Sequence, residues 1–119
     1  MSANPIVHWE LMGPDAGVQR AFYSALFDWT FGSMEGFENY YMTEGDGMGV
    51  NGAVGLGSDD MPAYQTIYVG VEDIDAKLAE VEANGGSVVM PREEIPDVVT
   101  FALFHDPAGN LVGLVESDG

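Results

Sequence analysis

His8 and Glu10 are the residues whose types and spacing best fit chemistry on a small molecule. They lie two positions apart in the apolar segment 5–11, Pro-Ile-Val-His-Trp-Glu-Leu. Residues two apart share one face of a β-strand, so a strand here places the imidazole beside the carboxylate. Such a pair can orient a ligand or move a proton. The alternative is that His8 is a hydrogen-bonded structural residue. The other face of the strand carries Val7, Trp9 and Leu11, which suits packing against a helix.

Hydroxyl groups on two other predicted strands are further candidates for ligand contact. Tyr64, Thr66 and Tyr68 alternate along the predicted strand 64–71 and therefore share one of its faces. These tyrosines can donate hydrogen bonds to a ligand, or their rings can simply fill space. Tyr41, on another predicted strand, is a candidate of the same kind, but the sequence does not fix which face it occupies.

Arg92 is one of only three cations in the chain. An arginine kept in so acidic a sequence indicates contact with an anion, and we include it among the candidate ligand-binding residues. The alternative is an ion pair with a nearby carboxylate, for which the neighbours are Glu93, Glu94 and Asp97.

The segment after the first strand predicts a helix over roughly residues 16–27. Gly13-Pro14 breaks the strand, and Asp15 is suited to cap the helix N-terminus. The helix follows from apolar residues at helical spacing, namely Val18, Phe22, Ala25 and Leu26. Further strands are predicted from Thr30, over 39–43 and over 50–56, with glycines 45, 47 and 49 in the turn between the last two.

The second half repeats this order of elements. A strand over 64–71 precedes Asp73, a second candidate N-cap, and Gly85-Gly86 ends the helix that follows. Three strands complete it, over 87–90, 98–104 and 111–116. The pattern predicts an α+β fold of two tandem βαβββ modules, residues 1–58 and 63–119, within one domain spanning 1–119.

The last two strands flank His105-Asp106-Pro107-Ala108-Gly109-Asn110, and this hairpin resembles the one that closes proteins of the vicinal oxygen chelate superfamily. That superfamily includes glyoxalase I, bleomycin-resistance proteins and extradiol dioxygenases. Three more segments resemble its glyoxalase-like subgroup: Phe-Tyr-x-x-Leu-Phe-x-Trp at 22–29, Gly-Val-Asn-Gly-Ala at 49–53, and Val-Glu-Asp-Ile-Asp-Ala at 71–76. The resemblance implies a curled, partly open eight-stranded mixed sheet around a cavity, with His8, Glu10, Thr66 and Tyr68 facing it.

The resemblance also indicates which positions would bind a metal ion. In metal-dependent members, each of four strands supplies a ligand, typically His or a carboxylate. The matching positions here are His8, Gly52 or Asn51, Thr66 and Gly113. Only His8 is a usual metal ligand, so we expect no metal and no cofactor. The alternative is a divalent metal held by unusual ligands.

The charge limits the possible partners. Twenty Asp and Glu residues face three Lys and Arg, for a net charge of −17. A chain without a basic patch is not expected to bind nucleic acid or an anionic membrane. There is no cysteine and no segment that resembles a signal peptide, so we expect a cytoplasmic location. A dispersed acidic surface is typical of a halophilic cytoplasm, and an acidic protein of an ordinary cell is the alternative.

Two functions fit these observations. The first is a small-molecule-binding protein without the metal, for which bleomycin-resistance proteins are the precedent. The second is a glyoxalase-type lyase or isomerase acting on a small oxygenated substrate, with His8 and Glu10 as the catalytic candidates. A homodimer is the expected assembly in either case, because members of the superfamily commonly pair.

We predict that the melting temperature rises steeply between low salt and molar KCl. The screening length falls from roughly 30 Å at 0.01 M salt to about 3 Å at 1 M, so repulsion between dispersed carboxylates largely disappears. Thermal unfolding across a KCl series measures this effect. A melting temperature that stays flat over the series would contradict the halophilic interpretation.

Overall fold

The computed structural model describes residues 3–34, 36–44 and 49–116. Two βαβββ modules follow each other along the chain, which confirms the predicted α+β fold. Most of the predicted glycine turn, residues 45–48, lies outside the described residues. In the part of the chain that is described, no helix has the length and apolar character needed to cross a membrane. The elements are β1 (Ile6–Gly13), α1 (Ala16–Phe27), β2 (Thr30–Met34), β3 (Phe37–Glu44), β4 (Ala53–Leu56), β5 (Tyr64–Val71), α2 (Ile74–Ala83), β6 (Ser87–Ile95), β7 (Val99–His105) and β8 (Leu111–Glu116).

One compact unit comprises residues 8–65, in which the strands are ordered β2-β3-β4-β1. β1 pairs with β4 in parallel, and β3 pairs with β4 in the antiparallel direction. Asp15 caps α1 as predicted, since its carboxylate accepts a hydrogen bond from the Val18 N–H at 3.0 Å. The buried apolar residues of this unit are Met12, Ala16, Ala53 and Val54.

The apolar stripe that predicted α1 is not the face that the helix buries. Ala16 is buried and Tyr23 is partly buried, whereas Val18, Phe22 and Leu26 are 63%, 55% and 57% exposed. Periodicity therefore identified the helix but not its packing face. The reason is that the less exposed side of α1 is formed by Ala16, Gln19 and Tyr23, which do not form the most apolar stripe.

The other compact unit consists of the described residues within 1–7 and 66–119, and its strands are ordered β5-β8-β7-β6. The N-terminal segment joins this unit through the Pro5 carbonyl, which accepts a hydrogen bond from the Gly70 N–H at 2.8 Å. α2 begins after Asp73, whose carboxylate caps it at the Ala76 N–H. The core of this unit is Val71, Ile74, Leu78, Ala102 and Leu114.

β6 is longer than the sequence indicated, because it continues through Pro91 to Ile95. Proline cannot donate to a ladder and is tolerated where a strand is irregular or unpaired on one side. The register between β6 and β7 shifts between Met90 and Glu93, which accommodates Pro91. The extension carries Arg92 into the sheet.

The closing hairpin is held by the side chain of Asp106. Its Oδ1 accepts hydrogen bonds from the Ala108 and Asn110 N–H groups at 2.9 Å each, and its Oδ2 accepts one from the Asn110 side-chain amide at 2.9 Å. These bonds, with those from Asn110 first, lower the pKa of Asp106. Gly109 has φ +93°, which explains the glycine at this turn position. The Asp-Pro-x-Gly-Asn motif therefore encodes the turn itself.

Arg92 forms an ion pair, but with a partner that the sequence did not indicate. Its Nη2 and Nε donate to the two carboxylate oxygens of Glu116 at 3.2 and 3.3 Å, whereas of the predicted neighbours Glu94 contributes through its charge alone. The Glu116 carboxylate also accepts a hydrogen bond from the Ile74 N–H at 3.1 Å, at the start of α2. The Arg92 hydrogen bond and the Ile74 N–H lower the pKa of Glu116. Glu116 therefore ties β6, β8 and α2 together.

We predict that Glu116→Gln lowers the free energy of unfolding at pH 7. A carboxylate whose pKa is lowered by folding stabilises the native state above its unfolded pKa, and that stabilisation is lost as pH falls through the folded pKa. The difference between wild type and variant should therefore shrink below the usual Glu pKa of 4.5. Urea denaturation at pH 7 and at a series of acidic pH values, all at one high KCl concentration, measures this difference in the free energy of unfolding.

Glu93→Gln is the matched control, because it removes the same charge from an exposed residue of β6. It should leave stability nearly unchanged. Equal effects of the two substitutions at pH 7 would show that general charge repulsion, not the Glu116 hydrogen bonds, is being measured.

Candidate functional site

His8 and Glu10 lie on one face of β1 and are bridged by Tyr40 of β3. The His8 Nε2 lies 2.8 Å from the Tyr40 hydroxyl oxygen, and that hydroxyl donates to Glu10 Oε2 at 2.6 Å. The direct distance from His8 Nε2 to Glu10 Oε2 is 3.9 Å. Glu10 is buried, with 7% of its surface exposed, while His8 is partly buried. The predicted His–Glu pair is thus part of a three-residue network.

Counting protons assigns the direction of each bond in this network. Tyr40 has a single hydroxyl proton, which it donates to Glu10, so the His8 Nε2–H must donate to the Tyr40 oxygen. A neutral imidazole with its proton on Nε2 has its basic lone pair on Nδ1. Burial lowers the pKa of His8 below 6.5, and the negative charge of Glu10 opposes that shift. Near pH 7, His8 is therefore neutral, with Nδ1 as its basic atom.

Tyr64, at the start of β5, belongs to the same electrostatic environment. Burial raises the pKa of Tyr64 above 10, and the Glu10 carboxylate raises it further. Tyr64 therefore stays protonated and retains a hydroxyl donor. We call His8, Glu10 and Tyr40, which are joined by these hydrogen bonds, the polar cluster.

The opposite face of β1 packs against an aromatic group that follows α1, as the alternation predicted. Trp9 lies 5.3 Å from Trp29 between ring centroids, and Trp29 stacks on Tyr23 at 5.7 Å. The Trp9 indole N–H donates to the Val50 carbonyl oxygen at 2.8 Å. A Cβ at Gly52 would overlap the Trp9 ring, so position 52 faces these aromatic rings and not the polar cluster.

Tyr41 lies on the face of β3 opposite to Tyr40. Its ring lies under the Arg20 guanidinium, with 4.8 Å between the guanidinium carbon and the ring centroid, in a cation–π contact. The structure therefore does not bring Tyr41 to His8 and Glu10. Arg20 also lines an open cavity of about 410 Å³, together with Ser24, Asp28, Trp29, Thr30 and Phe31.

Thr66 and Tyr68 share a buried face of β5, as the alternation predicted. The Thr66 hydroxyl donates to the Leu111 carbonyl oxygen at 2.7 Å. Tyr68 pairs with Gly113 of β8, and a Cβ at Gly113 would overlap the Tyr68 ring. The glycine is therefore required for the ring to lie where it does.

The residues at the positions that the resemblance matches to metal ligands do not fit a divalent metal ion. Gly113 has its space filled by Tyr68, the Thr66 hydroxyl is engaged by a carbonyl, and Ala53 is the β4 residue that pairs with Glu10. The other matched position, Asn51, accepts a hydrogen bond from the Thr43 hydroxyl at 2.9 Å. Across residues 3–34, 36–44 and 49–116, no three His, Cys, Asp or Glu side chains are grouped so that they could hold an ion.

Tyr40 is the site residue that sequence reasoning missed. Two tyrosines stand next to each other in β3, and only one can share a face with His8. The register decides, because Met42 and Glu10 both pair with Ala53, which places Tyr40 and Met42 on the Glu10 side. The two adjacent tyrosines in the sequence indicated that one of them would lie on this face, but did not indicate which one.

Comparison with known proteins gives relatives whose sequences are similar over most of this chain, among them two at 30% and 32% identity. One is "Putative glyoxylase CFP32" of Mycobacterium tuberculosis, 30% identical over 109 residues, covering 90% of this chain and 42% of the relative. The other is the anthracycline biosynthesis protein DnrV of Streptomyces peucetius, 32% identical over 117 residues, covering 85% of this chain and 42% of the relative. The chain therefore spans less than half the length of these relatives.

Solved structures share the fold at low sequence identity. A hypothetical protein from Bacillus halodurans has a TM-score of 0.71 at 16% identity, covering 99% of this chain and 97% of that one. Methylmalonyl-CoA epimerase from Mycobacterium tuberculosis has a TM-score of 0.67 at 16% identity, covering 96% and 88%. The family model of the Glyoxalase/Bleomycin resistance protein/Dioxygenase superfamily matches residues 5–114, and the chain belongs to that superfamily.

Proposed function

We propose that this chain binds a small polar molecule at the polar cluster and does so without the metal used by metal-dependent members of its superfamily. The observation that carries the proposal is the hydrogen-bonded chain from His8 through Tyr40 to Glu10. The ligand we infer carries hydroxyl or carbonyl groups that exchange hydrogen bonds with these side chains.

The energetics of Glu10 support a binding role. A buried carboxylate is costly unless it is hydrogen-bonded. Tyr40 offsets that cost with a short, charge-assisted hydrogen bond of 2.6 Å. The network thus holds a carboxylate and a neutral imidazole in fixed positions. Preorganised polar groups lose little entropy when they bind a ligand, which suits them to recognition.

Of the other candidate residues, two are kept as predicted ligand contacts and two are left out of the proposed site. Thr66 and Tyr68 stay predicted ligand contacts, on a buried face of their own module. Arg92 and Tyr41 are left out of the proposed site, because Arg92 is engaged by Glu116 and Tyr41 lies under Arg20.

A second candidate function is metal-free proton transfer on a small oxygenated substrate. It is favoured by the hydrogen bonds that fix the His8 ring beside Glu10, and by the burial of His8, which lowers its pKa and keeps the imidazole in its basic form near neutral pH. Glu10 and Tyr40 would then hold the ring and its Nε2 proton in place. This would make the chain a lyase or isomerase of the glyoxalase kind.

We predict substoichiometric zinc, nickel, iron and manganese in protein purified without chelator. The positions that match the metal ligands hold glycine, threonine or asparagine side chains that are engaged elsewhere, so a complete ligand set is not available. We also expect no isomerisation of the methylglyoxal–glutathione adduct after metal addition. Elemental analysis that found one tightly bound ion per chain, lost in His8→Ala, would contradict this prediction.

We predict that His8→Ala weakens ligand binding by more than about 1 kcal/mol with little loss of stability, as expected for losing one hydrogen bond to a ligand. The probes are an anthracycline, from the name of one relative, and methylmalonyl-CoA, from the name of a structural neighbour. Binding is measured by titration calorimetry and stability by urea denaturation. If His8 is purely structural, the order reverses, with stability falling and binding unchanged. If neither probe binds the wild type, both ligand classes are excluded.

Two adjacent tyrosines provide a matched pair of variants. Tyr40→Phe removes the hydroxyl that bridges His8 and Glu10, whereas Tyr41→Phe removes one on the opposite face of the same strand. Only Tyr40→Phe should weaken the binding of the ligand. Incubation of the metal-free protein with methylmalonyl-CoA in D₂O separates the two functions, because His8-dependent exchange of the α-proton would favour the enzyme.

A further inference from the structure

We propose that the open cavity beside α1 binds a small aromatic carboxylate whose carboxylate group pairs with Arg20. We call it the α1 cavity. It has a volume of about 410 Å³ and is lined by Arg20, Ser24, Asp28, Trp29, Thr30 and Phe31. Small-molecule sites typically have volumes of roughly 300–1,000 Å³. The α1 cavity is separate from the polar cluster, because Arg20 contacts Tyr41, and Tyr41 lies on the face of β3 opposite to Tyr40. The proposal therefore does not depend on the function of that cluster.

Arg20 differs from the other two cations of the chain in its lack of a carboxylate partner. Lys77 pairs with Glu80 at 3.1 Å, and Arg92 pairs with Glu116 at 3.2 Å. Within the part of the chain that the structure describes, no carboxylate forms an ion pair with Arg20. The chain as a whole repels anions, since it has 20 Asp and Glu against three Lys and Arg. An arginine without an internal counter-charge is the position at which an external anion can bind.

The contact with Tyr41 holds the Arg20 guanidinium and leaves its donors available. The guanidinium carbon lies over the ring at 4.8 Å from its centroid. A cation–π contact uses the charge of the guanidinium, whereas its five N–H donors lie in the guanidinium plane. None of these donors is hydrogen-bonded to a residue that the structure describes. A carboxylate can therefore pair with two of them at once, which is the geometry that the planar arginine fork favours.

The helix residues of the α1 cavity give it a cationic end and an anionic end. Arg20, Ser24 and Asp28 are four residues apart and therefore form one row along the helix and its C-cap. A rise of 1.5 Å per residue separates the first and last Cα atoms by roughly 12 Å along the axis. A ligand with a carboxylate at one end fits Arg20. A hydrogen-bond donor at its other end, such as a phenolic hydroxyl, fits the Asp28 carboxylate.

The wall of the α1 cavity explains why the ligand should contain an aromatic ring. Trp29 and Phe31 both line the cavity, with ring centroids 6.4 Å apart and an angle of 69° between their planes. Trp29 is held by its stacking on Tyr23 and by its contact with Trp9. Aromatic rings pack favourably on one another in edge-to-face and offset arrangements. A ring placed between the two polar ends of the ligand can therefore contact a wall that is already in position.

The charges favour a monocarboxylate over a phosphate. Arg20 is the single cation in the described lining, and Asp28 adds a negative charge to it. One guanidinium neutralises a monoanion, but it leaves a dianion with excess charge beside that carboxylate. The other two cations are engaged in ion pairs of their own.

The first test is titration calorimetry of the full chain with p-coumarate, a phenolic carboxylate, at one KCl concentration. The wild type should bind it, and Arg20→Gln should weaken binding at least roughly tenfold, as expected for losing hydrogen bonds to a charged group. Lys77→Gln is the matched control, because it removes the same charge from α2. His8→Ala tests the polar cluster. Both of these variants should bind p-coumarate as the wild type does.

The second test concerns the anionic end of the cavity and compares p-coumarate with cinnamate, which lacks the hydroxyl. The wild type should prefer p-coumarate severalfold, because only its hydroxyl can donate to Asp28. Asp28→Asn should bind cinnamate more tightly than the wild type does, since a negative charge is removed, and its preference for p-coumarate should shrink. Asp28 has φ +60°, a conformation that asparagine adopts readily, so the substitution should preserve the fold.

The third test locates the ligand from the indole signals of the chain's two tryptophans in a ¹H–¹⁵N spectrum. Trp29→Phe assigns the two signals. p-Coumarate should shift the Trp29 signal in the wild type and in His8→Ala, but not in Arg20→Gln.

Four results would overturn the proposal. One is a wild type that does not bind p-coumarate. Another is an Arg20→Gln variant that circular dichroism shows to be folded and that binds as tightly as Lys77→Gln. The third is binding that His8→Ala abolishes and Arg20→Gln preserves, which would place the ligand at the polar cluster. The fourth is displacement of p-coumarate by inorganic phosphate at equal concentration, which would show a general anion site.

Discussion

The burial of the Glu10 carboxylate is the constraint on which the site depends. A charged group with so little exposed surface is costly unless it is hydrogen-bonded. The hydroxyl of Tyr40 meets that requirement, and the same hydroxyl holds the His8 imidazole. For one hydroxyl to reach both groups, β1 must turn residues 8 and 10 to one side and β3 must bring Tyr40 to that side. The strand registers at Ala53 achieve both.

The same alternation determines what lies on the other side of β1. Once His8 and Glu10 share a face, Trp9 must point the opposite way, where it meets Trp29 and requires a glycine at position 52. In the second module, Gly113 makes room for the Tyr68 ring in the same manner. Gly113, and Gly52 as one of the two candidates on its strand, are the positions that the resemblance matches to metal ligands, and both make room for aromatic rings. Introducing Glu at Gly113 would require that ring to move, and overpacking of this kind destabilises cores.

Features set by neighbouring residues could be predicted from the sequence. Asp15 and Asp73 cap their helices, the segment from Asp106 to Asn110 forms the turn of its hairpin, and His8 lies beside Glu10, because each of these features spans only a few positions.

Features set by residues distant in the chain could not be predicted. Arg92 binds Glu116, 24 positions away, and not the carboxylates beside it. The choice between Tyr40 and Tyr41 follows from strand register, which is a property of three strands together. The packing face of α1 could not be read from its most apolar stripe, since the less exposed face is formed by Ala16, Gln19 and Tyr23.

The distribution of carboxylates sets Glu10 apart from the other acidic residues of the chain. Acidic residues occur throughout the chain, and most need only water and counter-ions to be stable where they are exposed. Glu10 departs from this pattern by being buried, and Tyr40 compensates for its loss of water.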